Sequence, residues 1–180
     1  MKRSIVLLYI VVASFSLLAL GSAQAQPTAE QQLGEALYFD TNLSLNRNQS
    51  CASCHDPASG FVDPVNVDTL SPVSAGSVDG EFGGLNAPSA AYAAFSPFFH
   101  WNGVDGLFVG GQFWNGRANT LAEQAAGPFL NPKEMAMPDE WSVVDRLRTS
   151  VDSGGPDYHT MFAEVYGLDV NADSIDALND

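Results

Sequence analysis

Two cysteines three positions apart, with a histidine directly after the second, constrain this chain more than any other feature: Cys51-Ala52-Ser53-Cys54-His55. They are the sole cysteines in 180 residues, so a disulfide framework is excluded. A structural zinc site takes four protein ligands, and no second cysteine pair exists to complete one. A thioredoxin-like redox pair sits in a βαβ setting, of which the sequence carries no pattern. The chemistry that fits C-x-x-C-H is covalent attachment of a c-type haem. Each thiol adds to one vinyl group as a thioether, and the adjoining imidazole becomes the proximal iron ligand. Cys51 and Cys54 are therefore expected to carry the haem and His55 to ligate its iron.

The start of the chain supplies a compartment. Lys2 and Arg3 precede an apolar run from Ile5 to Leu20, and Ala23 and Ala25 follow in A-x-A spacing. Residues 1–25 are expected to be a secretory signal cleaved after Ala25. The run holds 16 residues and includes Ser14 and Ser16. A spanning helix needs roughly 20 mostly apolar residues. Export to the periplasm follows, where free thiols oxidise and thioethers persist. The chain has 7 basic and 21 acidic residues, and beyond residue 25 the basic ones are Arg47, Arg117, Lys133, Arg146 and Arg148. So few cations build no phosphate-neutralising face, which excludes nucleic acid as a partner. An acidic surface steers toward a basic partner instead.

Helical signals bracket a long irregular middle. Thr28 and Gln31 have capping-box spacing and open a helix that presents Leu33, Ala36 and Leu37 on one face and ends near Asp40. Ser50 caps a short helix carrying the cysteines. From Asp56 to Arg117 lie ten of the 16 glycines and five of the 10 prolines, with many aromatics and no sustained periodicity. Disordered linkers are poor in aromatics, so this stretch is expected to be ordered loop wrapped on something apolar. A haem would supply that surface. Thr120 and Glu123 form a second capping box, and Gly127-Pro128 is expected to stop that helix. A helix over 139–151 with Trp141, Val144 and Leu147 on one stripe follows, then one from Tyr158 to Tyr166 stopped by Gly167. The expected class is mostly α, a cytochrome c-like helical haem domain with long Gly/Pro-rich loops. It spans 26–168, and 169–180 begins the connection to a second domain.

With these motifs in place the sequence resembles a known family. Leu33-Gly34-Glu35-Ala36-Leu37-Tyr38-Phe39-Asp40, Leu43-Ser44 and Ser50 through Pro57 are similar to the N-terminal haem domain of bacterial di-haem cytochrome c peroxidases. Asn86-Ala87-Pro88-Ser89, Gly110 through Ala118 and Asn131-Pro132-Lys133-Glu134-Met135 extend the match. Gly106 through Gln112 looks closer to the MauG-like branch. The resemblance implies two c-type haems, one per domain. The N-terminal one cleaves hydrogen peroxide, and the other is fed by a small electron-donor cytochrome or copper protein. One C-x-x-C-H is present, so the second haem is expected in a further domain that this sequence stops short of. MauG-like oxidation of a partner protein is the branch alternative, and a homodimer is a further option.

The resemblance also assigns residues. His55 matches the proximal ligand and Gln112 a distal amide that hydrogen-bonds peroxide. Asn86 matches a position that helps hold calcium between the domains. Trp101 lies near a tryptophan that relays electrons between haems, although an ordinary buried aromatic explains it equally well. Two departures stand out. The family's distal Glu, ten residues after the Gln, is Ala122 here, and the neighbouring Glu123 has a sufficient role in its capping box. A His that caps the resting iron in many members is replaced by Ser77. Of the other imidazoles, His100 reads as half-buried and His159 as solvated. The competing reading is a single-haem electron-transfer cytochrome c, with Met135, Met137 or Met161 as sixth ligand.

Overall fold

The computed structural model describes residues 25–170. The expected signal therefore lies outside the described residues save for Ala25, and the expected connection lies outside them from residue 171. Six α-helices and one small hairpin are described: α1 Ala29–Phe39, α2 Cys51–Cys54, α3 Pro64–Thr69, β1 His100–Asn102, β2 Leu107–Val109, α4 Leu121–Leu130, α5 Glu140–Arg148 and α6 Tyr158–Tyr166. The mostly helical class is as expected. None of the described helices is long and apolar enough to cross a membrane.

Helix α1 starts where its capping box places it. Thr28 Oγ1 accepts from Gln31 N at 3.2 Å, and Gln31 Oε1 accepts from Thr28 N at 2.9 Å. Its apolar face meets α6 in a core of Leu33, Leu43, Met135, Leu147 and Tyr158, with Ala36 and Leu37 packed against it. Helix α5 joins the core through Leu147 and packs against α6. Asp40 ties the end of α1 into the same core. Its Oδ2 accepts from the buried Tyr158 hydroxyl at 2.9 Å, and its Oδ1 accepts from Asn42 N at 2.8 Å. Gly167, at φ 68°, ends α6 in the left-handed conformation a glycine takes without strain.

Three local expectations fail. Helix α4 does not stop at Gly127-Pro128 but runs to Leu130. Its last carbonyls find distant partners, Met135 N on Pro128 O at 3.1 Å and Met137 N on Phe129 O at 2.7 Å. Those bonds satisfy carbonyls the helix end leaves open, and they come from residues seven and eight positions on, which the local helix signal does not include. Helix α5 ends at Arg148 and gives way to a separate 3-10 turn, Val151–Ser153. Val144 and Leu147 are buried, but Trp141 is exposed, with the Arg148 guanidinium 5.7 Å from its ring centroid. Finally, the irregular middle contains α3 and the β1–β2 hairpin, paired His100 to Val109 and Asn102 to Leu107. The strands are three residues each, too short for an alternation to register.

Candidate haem-attachment site

The site is built on a single helical turn. Ser53 Oγ accepts from Ser50 N at 3.0 Å and fixes the start of α2. Cys51 and Cys54 lie three apart on that turn and so share a face, both half-buried and free. His55 is the C-cap. Its N–H donates to Cys51 O at 3.0 Å, and its backbone then leaves the helix at φ −136°, ψ 58°.

The imidazole is oriented by the loop after α2. Asp56 O accepts from Ser59 N at 2.9 Å and Phe61 N at 2.8 Å, and Asp56 N donates to Val62 O at 3.1 Å. This closes a tight turn that brings Phe61 O to 3.3 Å from His55 Nδ1. A carbonyl can only accept, so Nδ1 carries the proton and Nε2 keeps its lone pair for a metal. Phe61 reaches this position at φ 61°, a left-handed conformation that costs a side-chain-bearing residue on the order of 1–3 kcal/mol. Tyr38, from the end of α1, donates its hydroxyl to His55 O.

Both thiols are held protonated. Burial foremost pushes Cys54 up to about 11, the charges of Asp63, Glu134 and Cys51 add to this, and a bond with Ser74 opposes it. Burial also raises Cys51. Redox-active C-x-x-C cysteines sit in electropositive surroundings that lower the thiol pKa. This pair has the opposite environment, which suits thiols that end as neutral thioethers. Glu134 is raised by burial, with Arg117 foremost among the influences that pull it back and His55 adding to them.

The surroundings also suit a large apolar group. Phe61 O accepts a second bond, from Ala90 N at 3.1 Å, and Ser89 Oγ donates to Gly60 O at 2.7 Å. These bonds join the His55 turn to the 89–97 loop. On that loop Tyr92 and Phe95 are 83% and 81% exposed. Phe98, Trp101, Phe108 and Trp114 are exposed as well. Such apolar surface marks a ligand or partner site. Two thiols, one oriented imidazole and this aromatic surface fit a covalent haem.

The remaining sequence candidates fall as follows. Gln112 Nε2 donates to Ala93 O at 3.1 Å, so the 89–97 loop meets the His55 turn at its start and Gln112 at its middle. Gly111, just before it, has φ 72°, and a Cβ there would come within 2.7 Å of Gly116 Cα. Trp101, on β1, is 55% exposed and packs edge-on against Phe108 at 5.1 Å, so it is not an ordinary buried aromatic. Asn86 is exposed, donates Nδ2 to Pro72 O at 3.4 Å and accepts from Trp114 Nε1 on its main-chain carbonyl at 2.8 Å. No group of three or more His, Cys, Asp or Glu stands ready for a metal ion among the described residues. Glu123 works as a cap: its N–H donates to Thr120 Oγ1 at 3.1 Å and its Oε2 accepts from Asn119 N at 2.6 Å. Ser77 is 1% exposed, donating to Asn48 Oδ1 at 2.8 Å and accepting from Asn46 N at 3.0 Å. Met135 belongs to the core, Met161 is partly buried against it, and Met137 is buried. Packing accounts for all three.

Two imidazoles depart from expectation. His100 is exposed on β1, its Nδ1 donating to Phe98 O at 2.8 Å. His159 is half-buried, its Nε2 donating to Arg148 O at 3.0 Å. Each bond is to a main-chain carbonyl that sequence periodicity does not reveal. The same is true of the residues that hold His55, Tyr38 and Phe61, for which the sequence carried no signal beyond adjacency to its motifs.

Residues 28–179 match the family model described as di-haem cytochrome c peroxidase. The chain belongs to the di-haem cytochrome c peroxidase family. It is 45% identical over 155 residues to the methylamine utilization protein MauG of Paracoccus denitrificans, covering 84% of this chain and 38% of that protein. It is 36% identical over 154 residues to the cytochrome c peroxidase Ccp of Escherichia coli, covering 84% of this chain and 28% of that one. The crystal structure of the di-haem peroxidase BthA from Burkholderia thailandensis superposes with a TM-score of 0.66 at 35% identity, over 83% of this chain and 35% of BthA. The chain thus spans about a third of the length of these relatives. Membership of this family implies covalent c-type haem.

Proposed function

We propose that this chain carries the peroxide-reactive haem of a periplasmic oxidoreductase, with hydrogen peroxide as substrate and a small cytochrome or copper protein as electron source. The observation that carries the reading is the His55–Phe61 bond, which leaves Nε2 of the motif histidine free beside two protonated thiols. When bound, the haem would supply the redox-active iron needed to reduce peroxide. The residues do the rest. Cys51 and Cys54 would tether the group, His55 would ligate it, and Gln112, whose Nε2 also donates to Ala93 O, would hydrogen-bond the incoming peroxide. The family's distal carboxyl is absent at Ala122 and Glu123 is engaged as a cap, so proton delivery falls to water or to another carboxyl.

The domain assignment goes with this reading: a leader over 1–25 and a haem domain over 26–168. Trp101, exposed on its hairpin, is available for electron relay at an interface, and Asn86 for one oxygen of a calcium site completed from elsewhere. The 45% identity to MauG favours a second reading, oxidation of a partner protein by the same haem. The optical spectrum of the haem-loaded ferric protein tests the proposal. A five-coordinate high-spin spectrum that changes with peroxide supports it. A six-coordinate low-spin spectrum indifferent to peroxide overturns it.

A further inference from the structure

The mechanism above uses the side chain of His55 but not its carbonyl. As the C-cap of α2, His55 sends that carbonyl out of the helix, where no residue of α2 can satisfy it. Tyr38, the penultimate residue of α1, reaches across and donates its hydroxyl to it. His55 is then held at three atoms: N by Cys51 O, Nδ1 by Phe61 O and O by Tyr38. The first two holds are local, within six residues of the histidine. The third alone spans 17 residues and ties the histidine to a helix seated in the core. The Tyr38 ring is half-buried, whereas its neighbour Phe39 is exposed and makes no bond to the His55 turn among the described hydrogen bonds.

We propose that Tyr38 is a positioning residue for the iron-ligating imidazole, fixing the His55 main chain so that Nδ1 stays on Phe61 O and Nε2 keeps one direction. Ligand basicity depends on the second bond an imidazole makes, so loosening the His55 turn weakens the donor to iron. The inference rests on the haem reading.

The test uses the haem-loaded chain and its Tyr38→Phe variant, with Phe39→Leu as a packing control. Covalent haem in the unaltered chain is established first from its pyridine haemochrome spectrum; its absence overturns the haem reading itself. With haem present, Tyr38→Phe is expected to lower and broaden the iron–histidine stretching band in the ferrous state and to raise the midpoint potential. Phe39→Leu is expected to lower the melting temperature and leave both readouts in place. An unmoved band and potential in Tyr38→Phe, or equal shifts in Phe39→Leu, overturn the proposal. Should Tyr38→Phe fail to load haem, 3-fluorotyrosine at position 38 keeps the ring and strengthens the donor. A shifted band then supports the role and an unshifted one overturns it.

Discussion

Phe61 holds its main-chain carbonyl 3.3 Å from His55 Nδ1 while standing at φ 61°, a conformation ordinarily left to glycine. The strain and the bond belong together, because the tight turn from Asp56 to Val62 delivers the carbonyl to the imidazole. If the left-handed backbone is the costly element, residue choice at 61 reports it directly. Phe61→Gly and Phe61→Ala both remove the ring, but only glycine takes the conformation freely. Urea denaturation is expected to find Phe61→Gly more stable than Phe61→Ala by about 1 kcal/mol. Equal stability would show that the backbone there is not strained.

The buried pair Tyr158–Asp40 gives a second test. Tyr158 is 0% exposed and its hydroxyl meets Asp40 Oδ2 at 2.9 Å. Burial foremost, with Asp40 beside it, raises the phenol well above its ordinary range, so it remains a donor. Tyr158→Phe strips a buried carboxylate of a partner and is expected to cost roughly 1–3 kcal/mol in chemical denaturation. Adding Asp40→Asn to that variant is expected to recover part of the loss.

Much of this was legible in the sequence, and the reason is the range of each signal. Thr28, Ser50 and Thr120 begin helices where their spacing places them, since a cap bonds within three residues. Cys51, Cys54 and His55 share one turn because their spacing fixes it. Helix α4 runs past Gly127-Pro128 because its end is completed by Met135 and Met137, which lie seven and eight residues beyond their acceptors. Trp141 leaves the buried stripe because Arg148 meets it on the surface. The orientation of His55 depends on a carbonyl at Phe61 and a hydroxyl at Tyr38, and no residue type announces a carbonyl's direction.

Ala122 and Glu123 separate catalysis from capping. Ala122 is exposed on α4, whereas Glu123 bonds the main chain at its start. In the haem-loaded chain, Ala122→Glu is expected to speed the reaction with peroxide by on the order of 10² or more, the usual worth of a positioned acid–base group. Glu123→Ala is expected to cost roughly 0.3–1.5 kcal/mol of stability and to leave the peroxide rate unchanged. Stopped-flow absorbance and thermal melts measure the two.

Acid should loosen the C-terminal helices through their caps. Asp139 Oδ1 accepts from Ser142 N at 2.7 Å, and Asp157 Oδ1 accepts from Thr160 N at 3.2 Å. Side-chain bonds to Ser142 and Thr160 are the foremost reason both carboxyls lie below the usual range. A lowered folded value contributes stability that is fully present above the unfolded pKa, about 3.9, and is lost as pH falls through the folded value. The melting temperature is therefore expected to fall below about pH 4, and less steeply in the Asp139→Ala, Asp157→Ala double variant. Circular dichroism melts across that range check it.

The most direct test is the intact mass of the chain produced together with a cytochrome c maturation system. The expected result is a gain of one haem that survives acid–acetone extraction and is lost from the Cys51→Ala, Cys54→Ala variant. A chain that matures with two free thiols and no haem, or that gains haem equally without its cysteines, would contradict the account.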